Sequence, residues 1–131
     1  MTVRACNPDV QSEKTMTRIT ELQIGRADYA AVNEHRIERA IGDGEVLLAI
    51  DKFALTANNV GYAVSGDFIG YWGYYPTDDG HWGNLCVWGI GVVEQSNNAD
   101  LSVGERIYGF FPMASHAVMQ PGKVTPRGYL D

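Results

Sequence analysis

Basic residues are missing from the middle of this sequence: no Lys or Arg lies between Lys52 and Arg106, whereas Asp67, Asp78, Asp79, Glu94 and Asp100 do. The whole chain of 131 residues carries ten basic against sixteen acidic side chains, a net charge of −6. A surface that neutralises phosphates needs clustered cations, so nucleic acid is excluded as a partner. Cysteine is almost as scarce, with only Cys6 and Cys86. Two cysteines supply neither a disulfide framework nor the three or four ligands, at short spacing, of a structural zinc site.

Long hydrophobic runs are also lacking. Runs such as Val46 to Ile50 and Phe53 to Leu55 fall far short of the ~20 residues that span a bilayer. The opening stretch, MTVRACNPDVQSEKTMT, has no apolar signal core. The expectation is a cytoplasmic protein with no membrane partner, beginning with a polar arm over 1–17 and folding as one domain over 18–131.

What the chain does have is glycine, fifteen of them, with five prolines. That punctuation suits a turn-rich β domain better than a helical bundle. Arg18 to Ile24 alternates polar and apolar residues, the period of a half-buried strand. His35 to Ile41 alternates less cleanly and ends at the turn Gly42-Asp43-Gly44. Glu45 to Thr56 is rich in β-branched and aromatic residues, at a length that suits a bent or two-part strand. Val87 to Gln95 forms another strand, whose glycines imply a bulge or a close backbone approach. Gly104 to Phe110 and His116 to Gln120 complete the set. Between them, residues 61–85 lose all periodicity and are expected as a long, aromatic-rich structured loop. The fold class is therefore mainly β, a partly open barrel with little helix.

The order of motifs carries a resemblance. Gly44-Glu45-Val46-Leu47-Leu48 leads to Asn58-Asn59 and Gly66-Asp67, then Gly91 and Val93, then Val103-Gly104-Glu105-Arg106-Ile107-Tyr108-Gly109. Over residues 18–126 this resembles the N-terminal, GroES-like domain of the medium-chain dehydrogenase/reductase superfamily. Thr56-Ala57-Asn58-Asn59 combined with Gly109-Phe110-Phe111-Pro112-Met113 is similar to a zinc-free, quinone-reductase-like branch. Zinc-dependent members place a Cys ligand where this chain has Ala57 or Asn58, and a His and Glu where it has Val87 and Trp88; no metal is expected.

The resemblance implies an NAD(P)-dependent oxidoreductase acting on a small apolar carbonyl or alkene, with this chain as its substrate-side domain. The dinucleotide belongs to a separate Rossmann domain whose Gly-x-Gly-x-x-Gly turn cradles pyrophosphate. No such turn occurs here, since Gly89-Ile90-Gly91 sits inside a strand. The chain as it stands is expected to hold no cofactor and to be inactive alone. A non-catalytic barrel that binds a small apolar ligand or a protein through its aromatic loop is the alternative.

Three positions stand as catalytic candidates: Asn58, Asn59 and Tyr62. An amide offers both donor and acceptor to orient a carbonyl or carboxamide, although tandem asparagines also make turns unaided. Eight of the fourteen aromatic residues lie between Tyr62 and Trp88. Tyr71, Trp72 and Trp88 are the expected substrate-binding residues among them, and Tyr62 or Tyr71 the proton donor; such rings also serve to pin a loop onto a barrel. An exposed aromatic surface without nearby cations favours self-association, so a homo-oligomer is expected. His35, His81 and His116 lack metal spacing, and Gly-x-Ser-x-Gly is absent, which removes hydrolase chemistry.

Overall fold

A computed structural model describes residues 15–129 of the chain. Seven strands dominate it, and the architecture is mainly β, as composition and alternation predict. β1 (Thr17–Gly25) pairs antiparallel with β2 (Val32–Arg39) from Thr17 opposite Arg39 to Ile24 opposite Val32. On its other side β1 takes the short β4 (Trp82–Asn84). The second sheet runs β6-β5-β3-β7, built from β3 (Val46–Ala54), β5 (Cys86–Ser96), β6 (Arg106–Pro112) and β7 (His116–Met119), all antiparallel.

The sheets are joined at the 113–115 segment. Leu22 N–H donates to Met113 C=O at 2.8 Å and Ser115 N–H to Thr20 C=O at 2.8 Å, while Ile50 N–H donates to Ser115 C=O at 2.9 Å. Ordering that segment between β1 and β3 curls the assembly into a half-closed barrel. Three buried clusters fill it. Ile19, Ile41 and Leu47 form one, Leu48, Val93 and Phe111 another, and Ile24, Trp72, Leu85, Val87 and Met113 the largest.

β3 is bent, as its length suggests, by register shifts at Leu47/Leu48 and Ile50/Lys52. The glycine signal in β5 is also real: a Cβ on Gly89 would lie 2.6 Å from the Lys52 carbonyl oxygen. The two strands approach there more closely than a side chain permits.

Residues 61–85 differ from the expected loop. They contain the second half of helix α1 (Ala57–Val64), a single helical turn α2 (Gly66–Ile69), a 3-10 turn (Tyr71–Gly73) and β4. The tandem asparagines, read as the turn ending a strand, lie instead in the first turn of α1. The physical reason is an inverted pattern. The buried stripe of α1 is Asn59 and Ala63, one polar and one small residue, while Val60 and Val64 face outward. The 3.6-residue period of Ala57, Val60 and Val64 is present but turned outward, and the core side of the helix is polar or small, so the pattern does not mark a core-facing helix. The polar arm expected over 1–17 lies outside the described residues except for its last three, of which Thr17 already belongs to β1.

Candidate aromatic ligand site

Phe110, on the edge strand β6, is the centre of an aromatic face. Its ring lies 5.9 Å from Tyr62 and 5.7 Å from Tyr74, both edge-on, and 5.1 Å from Trp88. Tyr71 packs on Tyr62 at 4.7 Å, and Tyr108 stacks on Trp88 at 5.4 Å with the planes 17° apart. Strand alternation explains the placement. Trp88 stands opposite Phe110 and Ile90 opposite Tyr108 in the β5–β6 ladder, so alternate residues of β6 share one face with Trp88. The helical segment supplies the remainder, bringing Tyr62, Tyr71 and Tyr74 over the strand edge. The Tyr75 hydroxyl donates to Phe110 C=O at 2.9 Å, tying this segment to an otherwise open edge.

Beside these rings runs a groove of about 470 Å³, lined by Tyr74, Trp88, Tyr108, Phe110, Met119 and Arg127 among others. Trp88 remains 47% exposed and Tyr108 70% exposed, so their faces are open to a ligand. A second, more polar cavity of about 730 Å³ adjoins it and shares Ile107, Tyr108, Arg127, Gly128 and Tyr129.

The expected site residues separate cleanly. Tyr62, Tyr71 and Trp88 are brought together. Asn58 is exposed and stands four residues before Tyr62, on the same side of α1. Asn59 points the other way. Its carboxamide oxygen accepts from Thr56 N–H at 2.7 Å, and its NH2 donates to Cys86 C=O at 3.0 Å. That amide fixes the start of α1 and ties the helix to β5, the reach-back half of a capping box extended into the core. Trp72 lies in the core at 7% exposure, between the backbones of Gly66 and Gly83. It supports the aromatic face from beneath and does not line the groove.

Three residues of the face, Tyr74, Tyr108 and Phe110, are not among the site positions that the sequence singles out. The last two lie outside the 62–88 cluster, and only the strand register brings them to it. Their signal was available in β6, where Tyr108 and Phe110 alternate as apolar residues on an edge.

The positions compared with zinc ligands are equally distinct. Val87 is fully buried and Trp88 faces out, as successive strand residues must. Among the described residues no three His, Cys, Asp or Glu side chains converge as a metal-binding group. Burial pushes the Cys86 thiol up from 9.0 to about 12, so it is protonated and non-nucleophilic at neutral pH. Cys6 lies outside the described residues. His116 is held between the Ser115 hydroxyl, 2.9 Å from Nδ1, and the Glu94 carboxylate, 3.0 Å from Nε2.

Among the described residues no Gly-x-Gly turn opens a helix in the way a pyrophosphate cradle does. Gly89-Ile90-Gly91 lies within β5 with no helix after it, and Gly42-Asp43-Gly44 leads into β3. The N-terminus of α1 has no glycine-rich approach and is closed by Asn59. No helix among the described residues is long and apolar enough to cross a membrane.

No curated protein matches the sequence. Residues 53–131, more than half of the chain, match the model of a family described as protein of unknown function (DUF2855). The match spans both helices, β4 to β7 and every ring of the aromatic face, and the chain belongs to that family.

Proposed function

We propose that this domain forms the substrate-side wall of a zinc-independent NAD(P)-dependent oxidoreductase acting on a flat, apolar carbonyl or conjugated alkene. The observation that carries the reading is the aromatic face centred on Phe110, open along the groove beside Trp88 and Tyr108. Such a surface binds planar conjugated molecules by stacking and by removing apolar area from water. The motif order, with its resemblance to the GroES-like domain of medium-chain reductases, supplies the reaction class.

Within that reading the chain binds and orients. Trp88 and Tyr108 hold the ring system, while the Asn58 amide and the Tyr62 hydroxyl, adjacent on α1, hydrogen-bond the substrate oxygen. The nicotinamide belongs to a different domain, and no hydride step is assigned to these residues. The protein works in the cytoplasm as a homo-oligomer that covers apolar surface around α1 and α2.

The test uses 2-acetonaphthone, a planar unreactive ketone, titrated into the chain while the Trp88 indole N–H is followed by NMR, with Trp88→Phe for assignment. A saturable shift of that resonance is expected, with none on addition of NADH. Micromolar affinity for NADH by calorimetry, or an indole unmoved by the ketone, overturns the reading.

A further inference from the structure

The groove has one feature that a purely apolar ligand leaves unused. Arg127 is the sole charged residue lining it among the described residues. It sits in a tight turn built for rigidity. Thr125 N–H donates to Gly128 C=O at 2.9 Å and Gly128 N–H to Thr125 C=O at 3.1 Å, and the Thr125 hydroxyl donates to the same Gly128 carbonyl at 2.8 Å. The Arg127 N–H in turn donates to the Thr125 hydroxyl at 3.3 Å. Tyr129, two residues on, donates from its hydroxyl to the Met119 sulfur at 3.4 Å, which ties the turn to β7 beside the groove.

The other cations nearby are committed. Arg106, in the adjoining polar cavity, reaches the Asp51 carboxylate at 3.1 Å, and Lys52 approaches the same oxygen at 3.6 Å. Arg127 makes no ion pair among the described residues. Asp100 and Glu105 lie in the polar cavity and do not line the aromatic groove. The groove is thus lined by apolar and aromatic residues, with Arg127 as its sole charged lining residue and, among the described residues, no acid beside it in that lining.

Resting on the proposed function, the geometry points to a conjugated acid as the ligand: a flat unsaturated or aromatic body against Trp88 and Tyr108, and a carboxylate on Arg127. A guanidinium matches a carboxylate through two parallel N–H donors, which neither water nor a ketone reproduces. The class of substrate is therefore an aromatic or conjugated carbonyl compound that also bears a carboxylate.

The experiment compares 2-naphthoate with 2-acetonaphthone, which share the ring system and differ in the charge they carry. Both are titrated into the full chain at low ionic strength, with the Trp88 indole as reporter. Naphthoate is expected to bind about fivefold more tightly, the range of a partly exposed ion pair, and the advantage to shrink towards unity in ~1 M salt. Arg127→Gln is expected to abolish the difference, so that naphthoate and ketone bind that variant with equal affinity. Equal affinities in the unmodified protein, or a naphthoate preference that survives Arg127→Gln, overturn the assignment of the carboxylate. In those outcomes the ketone still shifts Trp88 and the substrate-wall reading stands; if neither compound shifts it, both fall.

Discussion

Asn59 hydrogen-bonds at both ends of its amide, to the chain before α1 and to the backbone of β5, whereas its neighbour Asn58 makes no side-chain hydrogen bond among the described residues. Chemically identical side chains are sorted by a 100° rotation along the helix. Replacing Asn59 by Leu keeps similar bulk but leaves Thr56 N–H and the buried Cys86 C=O without partners. The expected loss is about 2–4 kcal/mol in urea unfolding, since each orphaned group costs roughly 1–3 kcal/mol. Asn58→Ala is expected to change stability by no more than about 0.5 kcal/mol. Equal destabilisation by the two substitutions would show that α1 is oriented otherwise. Only Asn58 is free to meet a ligand, a distinction that two adjacent letters cannot convey.

At the scale of elements, the helical segment is held by one large ring in a slot cut by glycines. A Cβ on Gly66 would lie 2.2 Å from Trp72 Nε1, and a Cβ on Gly83 would lie 2.3 Å from the ring carbon Cε3. Arg26 covers the outer side of Trp72, 5.8 Å from the ring centroid, and pairs with Asp67 of α2. Gly83→Ala is therefore expected to cost about 1–3 kcal/mol through overpacking. Gly61→Ala, in α1 with open space around it, is expected to stabilise by about 0.5–1 kcal/mol. Thermal melts of the two variants should move in opposite directions, and a shared direction would contradict the slot.

The same slot explains what the sequence reveals and what it hides. Strands β1, β3, β5, β6 and β7 are legible because half-buried strands advertise themselves by alternation and by β-branched residues. Even so, β1 hides a local exception: Gln23 is 5% exposed and Leu22 40% exposed. Gln23 is admitted to the interior because it donates to Glu21 and accepts from Asn33 at 3.1 Å. Helix α1 is illegible because its inward residues are Asn59, Ala63 and the flank of Tyr62. The aromatic site was half legible: Tyr62, Tyr71 and Trp88 share the dense stretch, but Phe110 joins them only through strand register.

For the molecule as a whole, the rings between Tyr62 and Trp88 divide between core and surface. Trp72 is buried and Tyr62, Tyr71, Tyr75 and Trp82 are partly covered, while Tyr74 and Trp88 face the groove and Phe68 stands 95% exposed. Phe68 does not stand alone. Val60 and Val64 on the outer side of α1 and Ile69 of α2 are each more than half exposed, and neither they nor Phe68 line the groove. The charges nearest in sequence do little to keep copies apart, since Asp67 is already paired with Arg26 and no cation occurs from residue 53 to 105. A face of this kind tends to be covered by another surface, and a two-fold contact between identical copies is the simplest closed arrangement. On the proposed function the contact centres on Phe68 and leaves the groove free. Sedimentation equilibrium should then show a dimer or larger species, and Phe68→Ser should weaken association by about 10- to 100-fold, the equivalent of one large apolar side chain no longer buried. The 2-acetonaphthone shift at Trp88 should be the same in Phe68→Ser as in the unmodified chain. A 14.4 kDa species that persists at high concentration would remove the homo-oligomer, and a dimer that dissociates on adding the ketone would move the contact from α1 and α2 onto the aromatic groove.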